Sequence, residues 1–268
     1  MILFSMRVLV FCFLLGLLTF PVDAQTIWSR PYEPNQFAVE TIVPDAPDDA
    51  ALLSGATFLT GTISLNDNIE VAAEMPIARY APTNSGASIT AAGNPYVGVG
   101  FSSTRIPLLL QLGARLPAAP SNAATRIGQI SDVGRTSAFR HDEFILSGLL
   151  NGRRSIGRHS TLRVRAGLGY ATYPTPATID QGRKRDWRMY YDAQIWREGD
   201  PFVTGLSFTG RATLTHSKNT QHHAAVSMMT NWRRVQPGLV VGTSLNALVQ
   251  ESEFVPFVGL TLSFTYMR

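Results

Sequence analysis

Charged side chains recur at alternate positions within otherwise apolar stretches of this sequence. Between Thr161 and Tyr173, for example, Arg163 and Arg165 alternate with apolar residues. Side chains of a β-strand point alternately to its two faces, so these charges would share one face. The charged residues that follow this pattern are Glu70, Glu74, Arg115, Glu143, Arg163, Arg165, Arg188, Asp192 and Arg211. If the strands close into a barrel, this set is expected to face its interior.

Two interpretations of this lumen set stay open. Opposite charges on neighbouring strands can pair, neutralise one another and fill a narrow interior. Alternatively, charged side chains can line a water path and select the ions that pass through it. Arginine is in excess in the set, which favours anionic solutes such as aromatic or aliphatic acids.

Catalytic residues are not predicted. Nucleophilic catalysis needs a serine activated by a histidine on the same face. The pairs His159-Ser160 and His216-Ser217 are adjacent residues, which point to opposite faces of a strand, and both fall in predicted turns. His222-His223 fails as a metal pair for the same reason, with no carboxylate nearby. There is no dinucleotide or phosphate-binding fingerprint, so no metal and no cofactor is expected. A lipid-modifying enzyme remains the least favoured alternative.

The elements that position the lumen set are predicted strands. In the last stretch, Phe254 to Arg268, alternate residues are apolar, and most of those between are small or polar. Comparable stretches recur about twelve times, and short connections alternate with long ones. The last connection, 250–253, is the exception, since it is shorter than this rule predicts. The sequence therefore predicts an all-β fold, a transmembrane antiparallel up-and-down β-barrel of about 12 strands over 36–268.

The front of the chain resembles an export signal. Residues 1–24 combine one basic residue, an apolar run and small residues before a cleavage site near Ala24. The alternative of a membrane anchor is disfavoured, because about thirteen apolar residues are short for a helical span of about twenty. Residues 25–35 are expected to form a periplasmic lead-in. The only cysteine, Cys12, lies in the signal, so the mature chain would carry no disulfide.

Composition and location limit the partners. The net charge of +4 is spread out and lacks the clustered basic faces that nucleic acid requires. No later run is long enough for a transmembrane helix. The bacterial outer membrane is therefore the expected location. The expected partners are outer-membrane lipid, lipopolysaccharide, the barrel-insertion machinery during assembly and a small-molecule solute.

Three segments carry further expectations. Four residues near the C-terminus resemble the signal that the insertion machinery reads, although the chain ends on Arg268 and not on an aromatic residue; they are Gly259, Leu262, Phe264 and Tyr266. Arg183, Lys184 and Arg185 lie in a predicted outward loop and suit lipopolysaccharide phosphates, although a solvated charge run is the alternative. The insertion 117–141 could fold inward as a constriction or outward as a contact surface.

Two segments resemble a known family of outer-membrane barrels, named for the meta-pathway of phenol degradation. The first is the turn and strand from Ser64 to Pro76 (SLNDNIEV…P), and the second is Gly93 to Gly100 (GNPYVGVG) followed by Leu108 to Pro117 (LLLQLGARLP). The resemblance implies a transport role in the outer membrane, and no catalytic residues come with it. The sequence thus favours a channel for small solutes, with a structural or adhesive barrel as the alternative.

Overall fold

The computed structural model describes residues 35–45, 50–84, 86–103, 106–174, 183–215, 220–230, 232, 234–245 and 255–266. The predicted signal peptide, the lead-in before Asn35 and the His216-Ser217 pair lie outside these residues. In the described part of the chain, no helix has the length and apolar character that a membrane-spanning helix needs.

The described chain is built almost entirely of antiparallel strands. They are β1 (Gln36–Pro44), β2 (Gly55–Asn66), β3 (Ile69–Tyr80), β4 (Ile89–Ala92), β5 (Tyr96–Ser103), β6 (Ile106–Arg115), β7 (Phe144–Ile156), β8 (Ser160–Pro174), β9 (Arg183–Glu198), β10 (Phe202–Thr213), β11 (Thr220–Thr230), β12 (Val235–Ser244) and β13 (Val255–Thr265). Between β6 and β7 lie helix α1 (Ala123–Ser131) and a 3-10 segment (Val133–Ala138).

The sheet closes on itself. Each strand pairs with its neighbours in sequence, and β1 pairs with β13, from Gln36↔Thr265 to Pro44↔Phe257. The short β4 pairs with one end of β3 and β5 with the other, so these two segments together occupy one position in the wall. The result is a closed antiparallel barrel of 12 strands, which confirms the predicted fold class. Closure thus leaves neither β1 nor β13 as an edge strand.

The structure confirms the alternation predicted for the last strand. In β13, Val258 and Leu260 point outward and are 49% and 65% exposed, whereas Thr261 and Ser263 are buried inside the barrel. Other strands repeat this pattern, so the outer surface is a continuous apolar band. A barrel with apolar side chains outside and polar ones inside suits a bilayer and not water.

The lipid-facing role of this band is testable at Leu260, near the middle of β13. We expect Leu260→Arg to destabilise the barrel by roughly 2–4 kcal/mol, because an arginine near the bilayer midplane loses its hydration. Urea unfolding of protein folded into phospholipid vesicles measures this, with Leu260→Met as the matched control. Equal unfolding midpoints for the two variants would show that this face does not contact lipid.

Two boundaries differ from the sequence prediction. β9 begins at Arg183, so Arg183–Asp186 belong to a strand and not to the predicted loop, because they continue the ladder with β8 as far as Pro174↔Arg183. β12 ends at Ser244, where its ladder with β11 also ends at His223↔Ser244. The predicted connection 250–253 lies outside the described residues.

The insertion between β6 and β7, residues 116–143, folds into the barrel. Helix α1 contacts β1, β2, β3 and β4, and the 3-10 segment contacts β10 and β11. The helix starts at a capping box, in which Asn122 Oδ1 accepts from the Thr125 amide at 3.0 Å and Thr125 Oγ1 accepts from the Asn122 amide at 3.2 Å. Of the two directions that the sequence left open, the structure therefore shows the inward one.

Phe139 fixes the insertion against the wall. Its ring is fully buried and lies 5.7 Å from the ring of Phe58, edge to face. A Cβ atom at Gly93 would approach the Ala138 carbonyl oxygen to 2.3 Å, and one at Gly128 would approach the Phe139 ring to 2.5 Å. Glycine is therefore required at both positions for this close packing.

Candidate functional site

The interior of the barrel holds all nine charged residues of the lumen set. Seven are buried, and Glu74 and Arg115 are nearly so, at 9% and 12% exposure of their side chains. Eight of them lie on the strand faces opposite the outer apolar band, whereas Glu143, which was predicted to lie in a strand, is the last residue of the insertion, directly before β7. Their role in a solute path stays a prediction, but their common location makes the lumen the candidate site.

An arginine from the insertion forms the centre of an acidic cluster. Arg135 Nη2 donates to Glu40 Oε2 at 2.6 Å, and its Nε donates to Asp132 Oδ2 at 2.6 Å. Its Nη1 lies 3.5 Å from Glu74 Oε2, and Glu74 Oε1 accepts from Arg115 at 2.7 Å. Glu40 is on β1, Glu74 on β3 and Arg115 on β6. These ion pairs therefore bind the insertion to three parts of the wall.

The same guanidinium also lies over an aromatic ring. The Arg135 Cζ atom is 3.5 Å from the centroid of the Phe58 ring, close enough for a cation–π interaction. Carboxylates thus contact the edge of the Arg135 guanidinium, and an aromatic ring contacts its face. The planar guanidinium fits this arrangement better than the ammonium group of a lysine would.

The electrostatics of the insertion follow from this cluster. Burial alone would raise the pKa of the Asp132 carboxyl, but the charge of Arg135 and its hydrogen bonds outweigh burial and hold that pKa below its ordinary value. Burial would lower the pKa of Arg135, but Glu40, Asp132 and Glu74 outweigh it and raise the pKa. The contribution of Asp132 to folding is therefore complete at neutral pH and is lost as the pH falls through its depressed pKa.

A second cluster surrounds Ser137, two residues further along the insertion. The Ser137 hydroxyl oxygen accepts from Arg188 Nη1 at 3.1 Å and from Arg211 Nη1 at 3.3 Å. Arg188 also pairs with the fully buried carboxylate of Glu143, which lies 3.6 Å from Arg140. The insertion is thus bound to carboxylates through Arg135 and to guanidinium groups through Ser137.

A third cluster lies on β8 and β9. Arg165 Nη2 is 3.9 Å from Asp192 Oδ2, its register partner, and Arg163 Nη1 donates to Gln194 Oε1 at 3.0 Å. Gln194 Nε2 donates in turn to Asp192 Oδ2 at 3.1 Å, as does Thr209 Oγ1. Opposite charges on neighbouring strands therefore pair, as the neutralising interpretation of the sequence expected.

Two cavities flank the 3-10 segment. The larger has a volume of about 80 Å³ and is lined by Tyr96, Gln111, Arg115, Arg135, Arg165 and Tyr190, among others. The smaller has about 30 Å³ and lies beside Glu40, Asp132 and His223. Since a water molecule needs roughly 10–15 Å³, the larger cavity has room for several waters. The spaces beside the 3-10 segment are thus each large enough for only a few waters.

Several residues of the site were missed from the sequence. Glu40 lies in a strand with weak alternation, and Asp132, Arg135 and Ser137 lie in the insertion, whose direction was left open. Their partners are distant in the chain: Glu40 and Arg135 are 95 positions apart. Only the position of Glu40 could have been predicted locally. Within Gln36–Pro44, alternation places Glu40 on the same inward face as Ala38 and Ile42.

The two histidines considered as a metal pair lie on opposite faces of β11, as the sequence predicted. His222 points outward, where its Nε2 lies 2.6 Å from the Tyr191 hydroxyl oxygen and its ring stacks on Phe208. His223 points inward, against the ring of Phe257. Within the described ranges, no group of three or more metal-ligating side chains converges.

The predicted contact segments lie at the barrel surface. Of the insertion-signal residues, Leu262, Phe264 and Tyr266 are between 37% and 44% exposed on the outer face, and Gly259 is on the inner face. Lys184 and Arg185 are exposed at the end of β9 where the long connections lie. Recognition by the insertion machinery and contact with lipopolysaccharide both stay predictions.

Comparison with known proteins gives the fold. No protein-family model matches the sequence, and no curated protein matches it by sequence. The solved structure of the KdgM porin in complex with disordered oligogalacturonate matches with a TM-score of 0.52 at 8% identity, over 87% of this chain and 99% of that chain. The NanC porin matches with a TM-score of 0.56 at 8% identity, over 86% and 100%.

LpxR from Salmonella typhimurium also matches, with a TM-score of 0.50 at 9% identity over 86% of this chain and 100% of that one. At these identities the likeness concerns the fold: the chain has the fold of the outer-membrane β-barrel porins. The finer resemblance to the meta-pathway family stays a prediction.

Proposed function

We propose that this chain is an outer-membrane channel for small anionic solutes, with its lumen constricted by the insertion. The observation that carries the proposal is the distribution of charge in the lumen. Arginines on the consecutive strands β8, β9 and β10 face inward, namely Arg163, Arg165, Arg188 and Arg211. Three carboxylates come from the other side of the ring, on β1 and β3, namely Glu40, Glu70 and Glu74, and Arg135 and Arg115 neutralise part of that side through their pairs with Glu40 and Glu74.

This separation of charge across the lumen supports selectivity. Roughly half the ring of strands lies between β2 and β9. A solute crossing the lumen would therefore meet guanidinium groups on one side, where an anionic group binds, and carboxylates on the other. Asp192 and Glu143 neutralise part of the arginine side through their pairs with Arg165 and Arg188. We infer selectivity for small anions, not for large ones, because the cavities beside the insertion are only water-sized.

Two likenesses support the solute class. Oligogalacturonate, the ligand in the KdgM porin complex, carries carboxylates, so a barrel of this fold accepts an acidic solute. The resemblance to the meta-pathway family points to aromatic acids. Outer-membrane location is supported by the apolar outer band of a closed barrel.

Reversal potentials across a KCl gradient in planar bilayers test the proposal. We expect anion selectivity, and we expect Arg163→Gln/Arg211→Gln, which removes two charges, to reduce the chloride-to-potassium permeability ratio by at least roughly fivefold, the effect of one nearby charge in water. Arg197→Gln is the matched control, since Arg197 is exposed on β9 outside the lumen. Cation selectivity of the unsubstituted protein would refute the anionic assignment.

The small size of the cavities favours a second candidate, a structural or adhesive barrel without transport. Solute flux into liposomes separates the two, because only a channel makes liposomes swell in a solution of small acids. We propose transport and not catalysis. Phospholipid turnover by the purified protein would contradict that choice.

A further inference from the structure

The outer face of the barrel contains a hollow over β6, β7 and β8, which we call the lipid-face groove. It is open to the surroundings of the barrel, and its lining is almost entirely apolar. Its floor is Gly148, whose register partners are Leu112 on β6 and Leu168 on β8. A Cβ atom at Gly148 would contact only the Leu112 Cδ2 atom, at 3.4 Å, so the missing side chain creates the hollow.

An aromatic pair closes one side of this groove. Tyr170 on β8 and Trp187 on β9 are register partners, and their ring centroids are 5.2 Å apart. Trp187 is 50% exposed, and Leu146 and Leu168 on the groove walls are 50% and 48% exposed. The groove is thus a shallow apolar depression with aromatic rings along one side.

A basic side chain stands at one end of the groove. Arg185 lies two residues before Trp187 on the same outward face of β9, about 7 Å away along the strand. It is exposed, whereas Lys184 beside it lies on the opposite face of the strand. Asp186 is the one carboxylate in the segment 183–187, and it is buried. It accepts a hydrogen bond from the Tyr173 hydroxyl and another from Thr215 Oγ1 at 2.7 Å. The end of β9 therefore presents positive charge above an apolar groove.

Arg185 stands at the end of the barrel that carries the long connections. In outer-membrane barrels that end faces the cell exterior, and the opposite end carries the short turns. The outer leaflet there consists of lipopolysaccharide, whose acyl chains end in a phosphorylated headgroup. An acyl chain in the groove would place its phosphates beside Arg185, and guanidinium groups bind phosphate oxygens in a bidentate manner.

We propose that the lipid-face groove is a specific site for one lipopolysaccharide molecule, with an acyl chain over Gly148 and a headgroup phosphate on Arg185. Apolar contact alone does not distinguish this lipid from its neighbours, since every acyl chain in the bilayer is equally apolar. The combination of the depression over Gly148 with the cation of Arg185 at its outer end does. The site is separate from the lumen and independent of the solute that passes.

Native mass spectrometry of the protein, extracted from lipopolysaccharide-containing membranes, tests the site. We expect one copy of lipopolysaccharide to remain bound to the unsubstituted protein. Gly148→Leu fills the groove and should abolish retention, and Gly148→Ala should reduce it partly. Arg185→Ala should reduce retention roughly fivefold, the effect of one basic residue at a lipid surface.

Two matched controls should retain lipopolysaccharide. Gly61→Leu adds the same side chain to a lipid-facing position of β2 where a Cβ atom meets nothing within 4 Å. Arg158→Ala removes an exposed arginine in the turn between β7 and β8. Retention of ordinary phospholipid only, or equal losses from groove variants and controls, would overturn the proposal. The proposed function is tested by channel recordings in bilayers free of lipopolysaccharide. Failure of the lipid site can therefore be distinguished from failure of the channel.

Discussion

Replacing residues 118–141 by a short glycine-serine linker is expected to convert the constricted barrel into an open pore. The insertion contributes no strand to the ladder of the wall, and Arg115 and Ile145 at its two ends are already register partners. Removing a helix with its side chains vacates a path roughly 10 Å across. Single-channel conductance should therefore rise from a low or intermittent level to a steady level several times larger.

The control for this replacement is the fold of the barrel itself. A folded barrel resists sodium dodecyl sulfate until it is heated, so both proteins should show the same shift in mobility on heating. As a matched substitution within the insertion, Arg126→Ala changes an exposed residue of α1 and should leave the conductance unchanged. A folded replacement variant with the conductance of the unsubstituted protein would show that the insertion does not constrict the lumen.

Arg135→Ala is expected to release the insertion without removing it. The substitution leaves Glu40 and Glu74 in the lumen without their shared cation, and Glu40 is only 1% exposed. Loss of one partner from a buried ion pair costs about 3–5 kcal/mol. The insertion should therefore leave its position for much of the time, which bilayer recording would detect as frequent large openings.

A double-mutant cycle assigns the effect to the charge pair. Glu40→Gln removes the buried charge that Arg135→Ala leaves unpaired, so the double variant should be less destabilised than the sum of the single variants. The free energy of unfolding in vesicles measures this coupling. Additive losses would mean that Glu40 and Arg135 do not stabilise the insertion together.

The wall of the barrel could be predicted from the sequence because its signal is local. Alternation within a strand depends only on neighbouring residues, and in β13 it separates Leu260 from Thr261 correctly. The sequence did not predict that β9 begins at Arg183, because a run of basic residues is typical of a loop. In the structure these residues are in a strand because they pair with residues of β8. The lumen set was found through the same alternation.

The position of the insertion could not be predicted, because the contacts that fix it join distant parts of the chain. Asn94 shows this. Its side chain donates to the carbonyl oxygens of Ser137 and Arg140 at 3.0 and 2.7 Å, and its Oδ1 atom accepts from the amides of Ala118 and Ala119, both at 2.7 Å. In sequence, Gly93-Asn94-Pro95 resembles a turn. In the structure it interrupts the wall between β4 and β5 and holds both ends of the insertion.

The reversal potential of the insertion-replaced variant across a KCl gradient tests the central claim most directly, because an open lumen reports its own charge. With arginines of β8, β9 and β10 exposed to the pore, we predict a steady current carried mainly by chloride, and a smaller current of the same selectivity for the unsubstituted protein. A folded replacement variant that carries no current, or one that carries mainly potassium, would contradict an arginine-lined lumen constricted by the insertion.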